Sequence, residues 1–220
     1  MTIAQTIDHT LLRPDATRAQ ILNLCAEARE FGFYSVCVNS SWVEVAADAL
    51  RGSGVRVAAV TGFPLGAMDS RAKAFETRWA VECGADEIDT VLAVGRLKSG
   101  ETDVVLSDLR GVVEAAGKAK VKVIFETCLL TDEEKRLACR IACEAGAAFV
   151  KTSTGFSTGG ATISDVKLLA AEVLGKCLVK ASGGIRSVET ALAMLEAGAS
   201  RLGTSNGIAI VQGTSSGQGY

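Results

Sequence analysis

Three segments of the chain repeat one pattern: a glycine, a short apolar run and a small polar turn rich in Gly and Ser. The segments cover residues 146–155, 175–184 and 198–207. The apolar run ends at Lys151 in the first and at Lys180 in the second, and Gly203 takes this place in the third. These positions are 29 and 23 residues apart (180 − 151 and 203 − 180), about one strand plus one helix. The spacing predicts neighbouring strands of a parallel sheet, with both amines at one mouth.

The rest of the chain shows the same alternation of strand and helix. Short apolar or β-branched runs predict strands at residues 6–10, 35–39, 55–60, 87–91, 121–126, 148–151, 177–180 and 201–203. Glycines at 84, 146 and 198 end three helical runs, and each leads into a strand. Eight strand and helix units in this length predict an α/β fold, the (β/α)8 TIM barrel. An open doubly wound sheet is the alternative, but no Gly-rich dinucleotide fingerprint follows the first strand.

Polar residues mark the predicted starts of three helices. Thr131 and Glu134 form a capping-box pattern, in which the hydroxyl and the carboxylate each accept a hydrogen bond from a free backbone N–H. Ser164 and Ser187 stand before two further helical runs and are predicted to be N-cap residues.

Length and composition fit one domain. With 220 residues, 48% of them apolar, we expect a barrel domain at 1–212 and a flexible tail at 213–220. The chain has no apolar run of about 18 residues and no secretion leader, which predicts a cytoplasmic protein that binds no membrane. Seven cysteines are an odd number, which favours reduced thiols. A net charge of −2 with mixed signs disfavours nucleic-acid binding.

The Gly- and Ser-rich turns after the last two strands are candidates for binding a phosphate. In a (β/α)8 barrel the site lies at the carboxyl ends of the strands, and the loops after strands seven and eight commonly hold phosphate. Gly183 and Gly184 let backbone N–H groups approach an anion closely, and the turn 203–207 adds donors at a helix start. A tight structural turn is the alternative for each glycine taken singly.

The two lysines carry the strongest chemical signal. Lys151 and Lys180 each follow an apolar pair, so each amine is expected to point into the barrel mouth. There a second cation and partial desolvation disfavour the charged form, and the pKa of such a lysine falls from about 10.4 toward roughly 7–8. A neutral amine attacks carbonyl carbon, which predicts Schiff-base chemistry on a phosphorylated carbonyl compound. A solvated lysine is the alternative, and it fits one lysine better than two in matched contexts.

Three further polar residues lie in apolar strands. Asp89 needs a cation or hydrogen-bond donors, and it either pairs with Lys180 and relays protons or forms a structural ion pair. His9, the sole histidine, lies on the strand face opposite Asp8, which favours a structural role. One histidine is a poor basis for a metal site. Cys37 is expected to be a core thiol or to face the mouth.

Seven short motifs occur in order and at suitable spacings along the chain. They are 7–12 (IDHTLL), 62–66 (GFPLG), 87–89 (EID), 122–128 (KVIFETC), 149–155 (FVKTSTG), 179–186 (VKASGGIR) and 203–205 (GTS). Together they resemble the deoxyribose-phosphate aldolase family over nearly the whole chain. The resemblance implies a class I aldolase without metal or other cofactor. Such an enzyme reversibly cleaves 2-deoxy-D-ribose 5-phosphate to acetaldehyde and D-glyceraldehyde 3-phosphate in deoxyribose catabolism.

The resemblance also implies roles for single residues. Lys151 would form the Schiff base, Lys180 would be the second amine that tunes it, and Asp89 would belong to the proton relay. The C-terminal Tyr220 would protonate the enamine carbon, with a disordered terminus as the alternative. The candidate substrate-binding and phosphate-binding residues are Gly155, Gly183, Gly184, Arg186, Gly203, Ser205, Asn206, Thr10 and Cys37.

Four positions depart from patterns frequent in that family: Phe156, Asn206, Ser40, where proline is frequent, and Ala93, where asparagine is frequent. Phe156 stands where some members have lysine, which predicts one cation fewer near the phosphate, and Asn206 stands where serine is common. Another barrel-fold sugar-phosphate lyase or isomerase is one alternative function, and a non-catalytic sensor of a phosphorylated ligand is another. A homodimer is the expected assembly, and a tetramer is the larger alternative.

Overall fold

Eight parallel strands close into a barrel in the computed structural model, which describes residues 2–214. The strands are β1 Ile7–Leu11, β2 Ser35–Asn39, β3 Arg56–Thr61, β4 Glu87–Val91, β5 Lys120–Ile124, β6 Phe149–Lys151, β7 Leu178–Ser182 and β8 Arg201–Thr204. Each strand pairs with the next one along the chain, and β8 pairs with β1. The predicted (β/α)8 barrel is confirmed, and the open doubly wound sheet is excluded.

Helices connect the strands on the outside of the barrel. Within residues 2–214 they are α1 Arg18–Phe31, α2 Val43–Leu50, α3 Ser70–Glu82, α4 Val94–Lys98, α5 Thr102–Ala116, α6 Asp132–Glu144, α7 Ile163–Val173, α8 Val188–Glu196 and α9 Gly207–Gln212. None of these has the length and apolar character needed to cross a bilayer. Tyr220 and the rest of the predicted tail beyond Thr214 lie outside the described residues.

The predicted strands agree with the observed ones to within two residues at each end, and two differences bear on the site. Lys151 is the last residue of β6, but Lys180 does not end β7. That strand continues because Ala181 and Ser182 pair with β8. The fifth strand ends two residues before the predicted Glu126.

The helix caps confirm two predicted starts and correct a third. Thr131 caps α6 in a complete capping box, and Ser187 caps α8. The prediction for Ser164 is wrong, because Thr162 caps α7 by accepting a hydrogen bond from the backbone N–H of Asp165 at 3.0 Å. An N-cap hydroxyl reaches an N–H two or three residues ahead, and Ser164 already lies in the first turn.

The two faces of the barrel strands differ in polarity. Most of the outward-facing residues are apolar and form one large core with the helices. A small apolar cluster on the inner side is formed by Leu12, Cys37, Ala58 and Val60. Charged side chains that are almost wholly buried fill the space beside this cluster. The barrel interior is therefore the place to look for chemistry.

Candidate active site

Lys151 and Lys180 lie side by side and share one carboxylate. Their Cα atoms are register partners between β6 and β7, as the repeat spacing predicts. Both Nζ atoms donate to Oδ2 of Asp89 on β4, at 2.8 Å from Lys151 and 2.7 Å from Lys180. Lys122 on β5 donates to the other oxygen, Oδ1, at 2.6 Å. Asp89 is thus the common acceptor of three amines, and none of the four side chains is more than 3% exposed.

A second layer of buried charge lies nearer the amino ends of the strands. Arg201 on β8 donates to Asp8 Oδ1 and to Glu87 Oε2, both at 2.9 Å. Lys180 donates to the other oxygen of Asp8, and the Nζ atom of Lys122 lies 2.7 Å from Glu87 Oε2. The two layers therefore form one connected network inside the barrel.

This buried network contains one base more than it contains acids. Among the described residues its bases are Lys122, Lys151, Lys180 and Arg201, and its acids are Asp8, Glu87 and Asp89. A buried charge without a counterpart costs several kcal/mol, so the network is balanced when one amine is neutral. Lys122 lies within 4.0 Å of three carboxylates and Lys180 of two, whereas Lys151 contacts one. Lys151 therefore gives up its proton at the lowest cost.

The surroundings separate the pKa values of the two lysines. Burial lowers the pKa of Lys151; the Asp89 carboxylate opposes this, and the Lys180 charge adds to the lowering. Burial acts on Lys180 too, but the carboxylates of Asp8 and Asp89 outweigh it and raise the pKa of Lys180. The expectation that the surroundings lower the pKa of each amine is therefore wrong for Lys180, because Asp8 is a partner that its local sequence does not reveal. Lys151 is the amine with nucleophilic character.

An open cleft beside Lys151 is lined by the glycine-rich loops. Its walls include Thr10, Gly155, Gly183, Gly184, Arg186, Gly203 and Ser205, all of them predicted substrate-binding residues. Backbone N–H groups in such loops attract anions. Cys37 and Asn206 do not line this cleft: Cys37 packs in the small apolar cluster, and Asn206 Oδ1 accepts a hydrogen bond from Ser205 Oγ at 3.0 Å. A substrate-binding role for these two residues stays a prediction.

Gly203 is required by the crowding around Lys180. A Cβ atom at Gly203 would lie 2.1 Å from Ser182 Oγ and 3.0 Å from Lys180 Cε. The third copy of the repeat thus has glycine where the other two have lysine, because the Ser182 hydroxyl and the Lys180 side chain already fill that space.

Comparison with known proteins identifies the family. A model of the DeoC/LacD family aldolases matches residues 2–218. The chain belongs to this family. A deoxyribose-phosphate aldolase of Geobacillus sp. (strain WCH70) is 57% identical over 219 residues, 99% of this chain and 98% of that protein. A solved aldolase called QR15 has a TM-score of 0.92 at 41% identity and covers 96% of this chain and 94% of its own. The tetrameric deoxyribose phosphate aldolase of Aeropyrum pernix has a TM-score of 0.89 at 35% identity, covering 96% and 89%.

Membership in the DeoC/LacD family makes the chain a carbon–carbon lyase.

Four residues of its buried network were not predicted from the sequence to belong to the site. They are Asp8, Glu87, Lys122 and Arg201. Each is a charged residue beside apolar neighbours in a strand. Both faces of a strand in a parallel barrel are buried, so a charge there has to meet a partner. That pattern is the signal that would find them.

Glu126 is a further buried carboxylate of this aldolase that sequence patterns did not single out. The Thr154 hydroxyl donates to its Oε2 atom, and the Thr154 N–H lies 3.4 Å from each carboxylate oxygen. Glu126 has a φ of 54°, a conformation uncommon for a residue other than glycine. The Phe156 N–H donates to Thr154 Oγ1 at 3.0 Å, and the Phe156 ring packs edge-on against Phe63. Glu126 therefore holds the loop that carries Gly155.

His9 lies outside the charged network. Its Nε2 atom is 2.7 Å from the Glu27 carboxylate, and its ring centroid is 4.8 Å from that of Phe33. The position fits the structural role expected for it. Within residues 2–214, no group of three or more His, Cys, Asp or Glu side chains is placed to hold a metal ion.

Proposed function

We propose that this aldolase reversibly cleaves 2-deoxy-D-ribose 5-phosphate to acetaldehyde and D-glyceraldehyde 3-phosphate through a Schiff base on Lys151. The names of its relatives support the substrate. Within the chain, one observation carries the proposal. Lys151 makes a single carboxylate contact in a network with a surplus base, and it borders a cleft lined by loops suited to anions. A barrel isomerase or a ligand sensor would require no such amine.

Lys151 acts as the nucleophile. Its neutral amine adds to the C1 aldehyde of the open-chain sugar, and uptake of one proton with loss of water gives a protonated imine. As the C2–C3 bond breaks, its electron pair moves toward the imine and forms an enamine. The C3 hydroxyl loses its proton, and C3 leaves as the aldehyde carbon of D-glyceraldehyde 3-phosphate. Protonation at C2 and addition of water then release acetaldehyde and restore Lys151.

Asp89 and Lys180 support the proton transfers. Asp89 Oδ2 lies 2.8 Å from the reacting amine, and together with Lys180 and a bound water it forms the relay that takes the C3 hydroxyl proton. Lys180 keeps its charge, donates to the same oxygen at 2.7 Å and so disfavours a second charge on Lys151.

The phosphate binds in the part of the cleft that is lined by Gly183, Gly184, Ser205 and Arg186. The backbone N–H groups of the two glycines are the proposed donors to it. Binding at this remote group holds the C1 aldehyde near Lys151, so that binding energy supports the chemical step.

Tyr220 delivers the proton to C2 of the enamine. The tail from 213 to 220 extends to at most about 26–29 Å, long enough to fold over a barrel mouth. Removal of Tyr220 alone is expected to slow C2 proton exchange by about 10²-fold and to change KM by less than about threefold. Deuterium incorporation into acetaldehyde, followed by NMR, measures the exchange rate. Equal exchange rates in the truncated and full-length enzymes would refute this role.

The test of the Schiff base is sodium borohydride reduction with and without 2-deoxyribose 5-phosphate, in EDTA, followed by peptide mass spectrometry. A substrate-dependent adduct on Lys151 is expected. The Lys151→Met variant should give no adduct, whereas replacement of the exposed Lys167 by methionine should leave it intact. No adduct in folded wild-type protein would eliminate the proposed chemistry.

The proposal extends to the setting in which the enzyme works. A cytoplasmic role in the breakdown of deoxyribose phosphate agrees with the absence of disulfides among the described cysteines. We expect residues 1–212 to act as one barrel domain. A homodimer is the expected assembly, and the tetrameric Aeropyrum pernix relative supports the larger alternative.

A further inference from the structure

We propose that Arg201 and Glu87, near the amino ends of the barrel strands, determine whether Lys151 is neutral, because they fix the number of charges in the buried network. Neither residue lines the cleft, and both act through intervening ion pairs. They are positioning residues and not catalytic residues. The inference rests on the proposed role of Lys151 as the Schiff-base nucleophile.

A continuous series of ion pairs joins Arg201 to Lys151. Arg201 donates to Asp8 Oδ1 at 2.9 Å, and Lys180 donates to the other oxygen of Asp8. Lys180 also donates to Asp89 Oδ2 at 2.7 Å, the oxygen that accepts from Lys151 at 2.8 Å. Every member of this series is at most 5% exposed. Water and salt screen such buried charges weakly, so a change of charge at Arg201 is felt at Lys151.

Arg201 is a fixed positive charge. A guanidinium keeps its proton in proteins, and this one lies between Asp8 and Glu87 with the Tyr34 ring centroid 3.4 Å from its central carbon. The surplus positive charge of the network must therefore be relieved at an amine. Lys151, which makes one carboxylate contact, is where this happens.

The count covers the charged groups that ion pairs join to Lys151, directly or through other members of the network, and the thiol beside it. Among the described residues they are Asp89 and Glu87 on β4, Lys122 on β5, Lys180 on β7, Arg201 on β8, Asp8 on β1 and Cys37 on β2. Burial raises the pKa of the Cys37 thiol, so this group is uncharged near neutral pH. Four bases then face three acids.

Replacing Arg201 and replacing Glu87 are expected to have opposite effects. Arg201→Met leaves three bases and three acids, so Lys151 keeps its proton and the acid limb of the kcat/KM profile moves to higher pH, by on the order of one unit. Glu87→Gln removes one negative charge and moves that limb to lower pH by a similar amount. A loss of packing alone would not produce shifts of opposite sign.

The test compares the wild type, both single variants and the Arg201→Met/Glu87→Gln double variant. For each we would measure kcat/KM, and the rate of borohydride trapping with acetaldehyde, from about pH 5 to about pH 10 on protein verified as folded. Labelling of wild-type Lys151 tests the proposed function separately, and labelling elsewhere or nowhere would remove that function. If Lys151 is labelled and neither single variant moves the acid limb, the charge-count inference is overturned.

Arg56 provides a matched control. It lies 5.7 Å from the centroid of the same Tyr34 ring, but its side chain is exposed. Arg56→Met is expected to leave both pH profiles unchanged. The double variant restores a surplus of one base and should return the limb to within about 0.3 units of the wild type. If Arg201→Met does not fold, Glu87→Gln decides: a shift to lower pH supports the inference, and no shift or the reverse shift refutes it.

Discussion

Two buried lysines in different parts of this aldolase have different surroundings. Lys73 on α3 lies outside the barrel, where its Nζ atom donates to Asp108 Oδ2 at 2.6 Å and to the Val91 carbonyl at 2.9 Å. Lys151 is buried almost as fully, at 3% exposure against 0% for Lys73. Among the described residues, Asp108 pairs with Lys73 one to one, whereas Asp89 is shared by Lys151 and two further amines.

The ratio of bases to acids, more than burial, separates a structural lysine from a nucleophile here. A one-to-one buried pair is neutral with both charges in place, so removing a proton would leave an unmatched charge. A surplus base in a medium of low dielectric constant drives one amine to become neutral. The amine that does so is the one with the fewest carboxylate contacts, and in this barrel it also borders the open cleft.

Replacing Lys151 with methionine should have the largest effect of all, and the effect should be on activity. Loss of the nucleophile lowers kcat/KM by roughly 10³-fold or more. Near about pH 10, where removal of the Lys151 proton on folding costs little, the free energy of unfolding should change by less than about 1 kcal/mol, because three bases and three acids remain. Turnover assays and urea unfolding on one preparation measure both quantities. A variant that fails to fold would contradict the charge count, and a folded variant that keeps its turnover would contradict the role of Lys151 as the nucleophile.

The opposite pattern is expected for Lys73. Lys73→Met leaves Asp108 buried without its cation and lowers the free energy of unfolding by about 3–5 kcal/mol. The kcat/KM per folded molecule should stay within about twofold of the wild type, since Lys73 takes no part in the network. The matched Lys73→Met/Asp108→Leu variant should recover most of the lost stability in urea unfolding. Loss of turnover in folded Lys73→Met would remove the distinction between the two regions.

The barrel and its two lysines could be predicted from local patterns. Each strand is a short apolar run with a small or polar residue near its end, and such runs are recognisable within a few residues. The distance from Lys151 to Lys180 equals one strand plus one helix, which in a parallel sheet makes the two residues neighbours. Local sequence was enough to predict the strands and the neighbouring positions of the two lysines, because both features depend on segments of fewer than about 30 residues.

The charges around the lysines could not be predicted in this way. Asp8 and Arg201 are 193 residues apart in the chain and meet only because β8 closes the barrel against β1. Period-two alternation gives the face on which Asp8 lies, but it does not give the partner. The expectation for Lys180 was wrong for this reason. Its pKa depends on Asp8, a residue that comes into reach only through the complete fold.

The pH dependence of stability offers a finer test of Lys151. The free energy of unfolding changes by about 1.4 kcal/mol for each unit by which the folded and unfolded pKa values of Lys151 differ. Burial lowers the folded pKa of Lys151, so the unfolded chain binds more protons between the two values. Stability from this residue therefore rises with pH across that window, up to about 10.4. Lys180, with a raised folded pKa, contributes stability that is complete below its unfolded value and is lost as pH rises through the folded value.

Urea unfolding of the wild type and of Lys151→Met, from about pH 7 to about pH 10, isolates the Lys151 contribution. Lys180 is present in both proteins, so its effect largely cancels in the difference. The wild-type free energy of unfolding minus that of the variant should grow with pH. A difference that does not change with pH would mean that Lys151 has the same pKa folded and unfolded.

The smallest effect should come from Glu126, a third kind of buried charged group that is held by the hydroxyl and amide donors of Thr154. Glu126→Gln keeps the size of the side chain but weakens these bonds, which should raise KM for 2-deoxyribose 5-phosphate by about 3- to 10-fold. For 2-deoxyribose without phosphate, kcat/KM should change by less than about twofold, because the loop serves the phosphate. The acid limb of the pH profile should stay in place. If the acid limb moves to higher or lower pH, as is expected for Arg201→Met, then the Glu126 carboxylate contributes to the charge count around Lys151. In that case a carboxylate held by neutral donors does not differ from one held by amines in this enzyme.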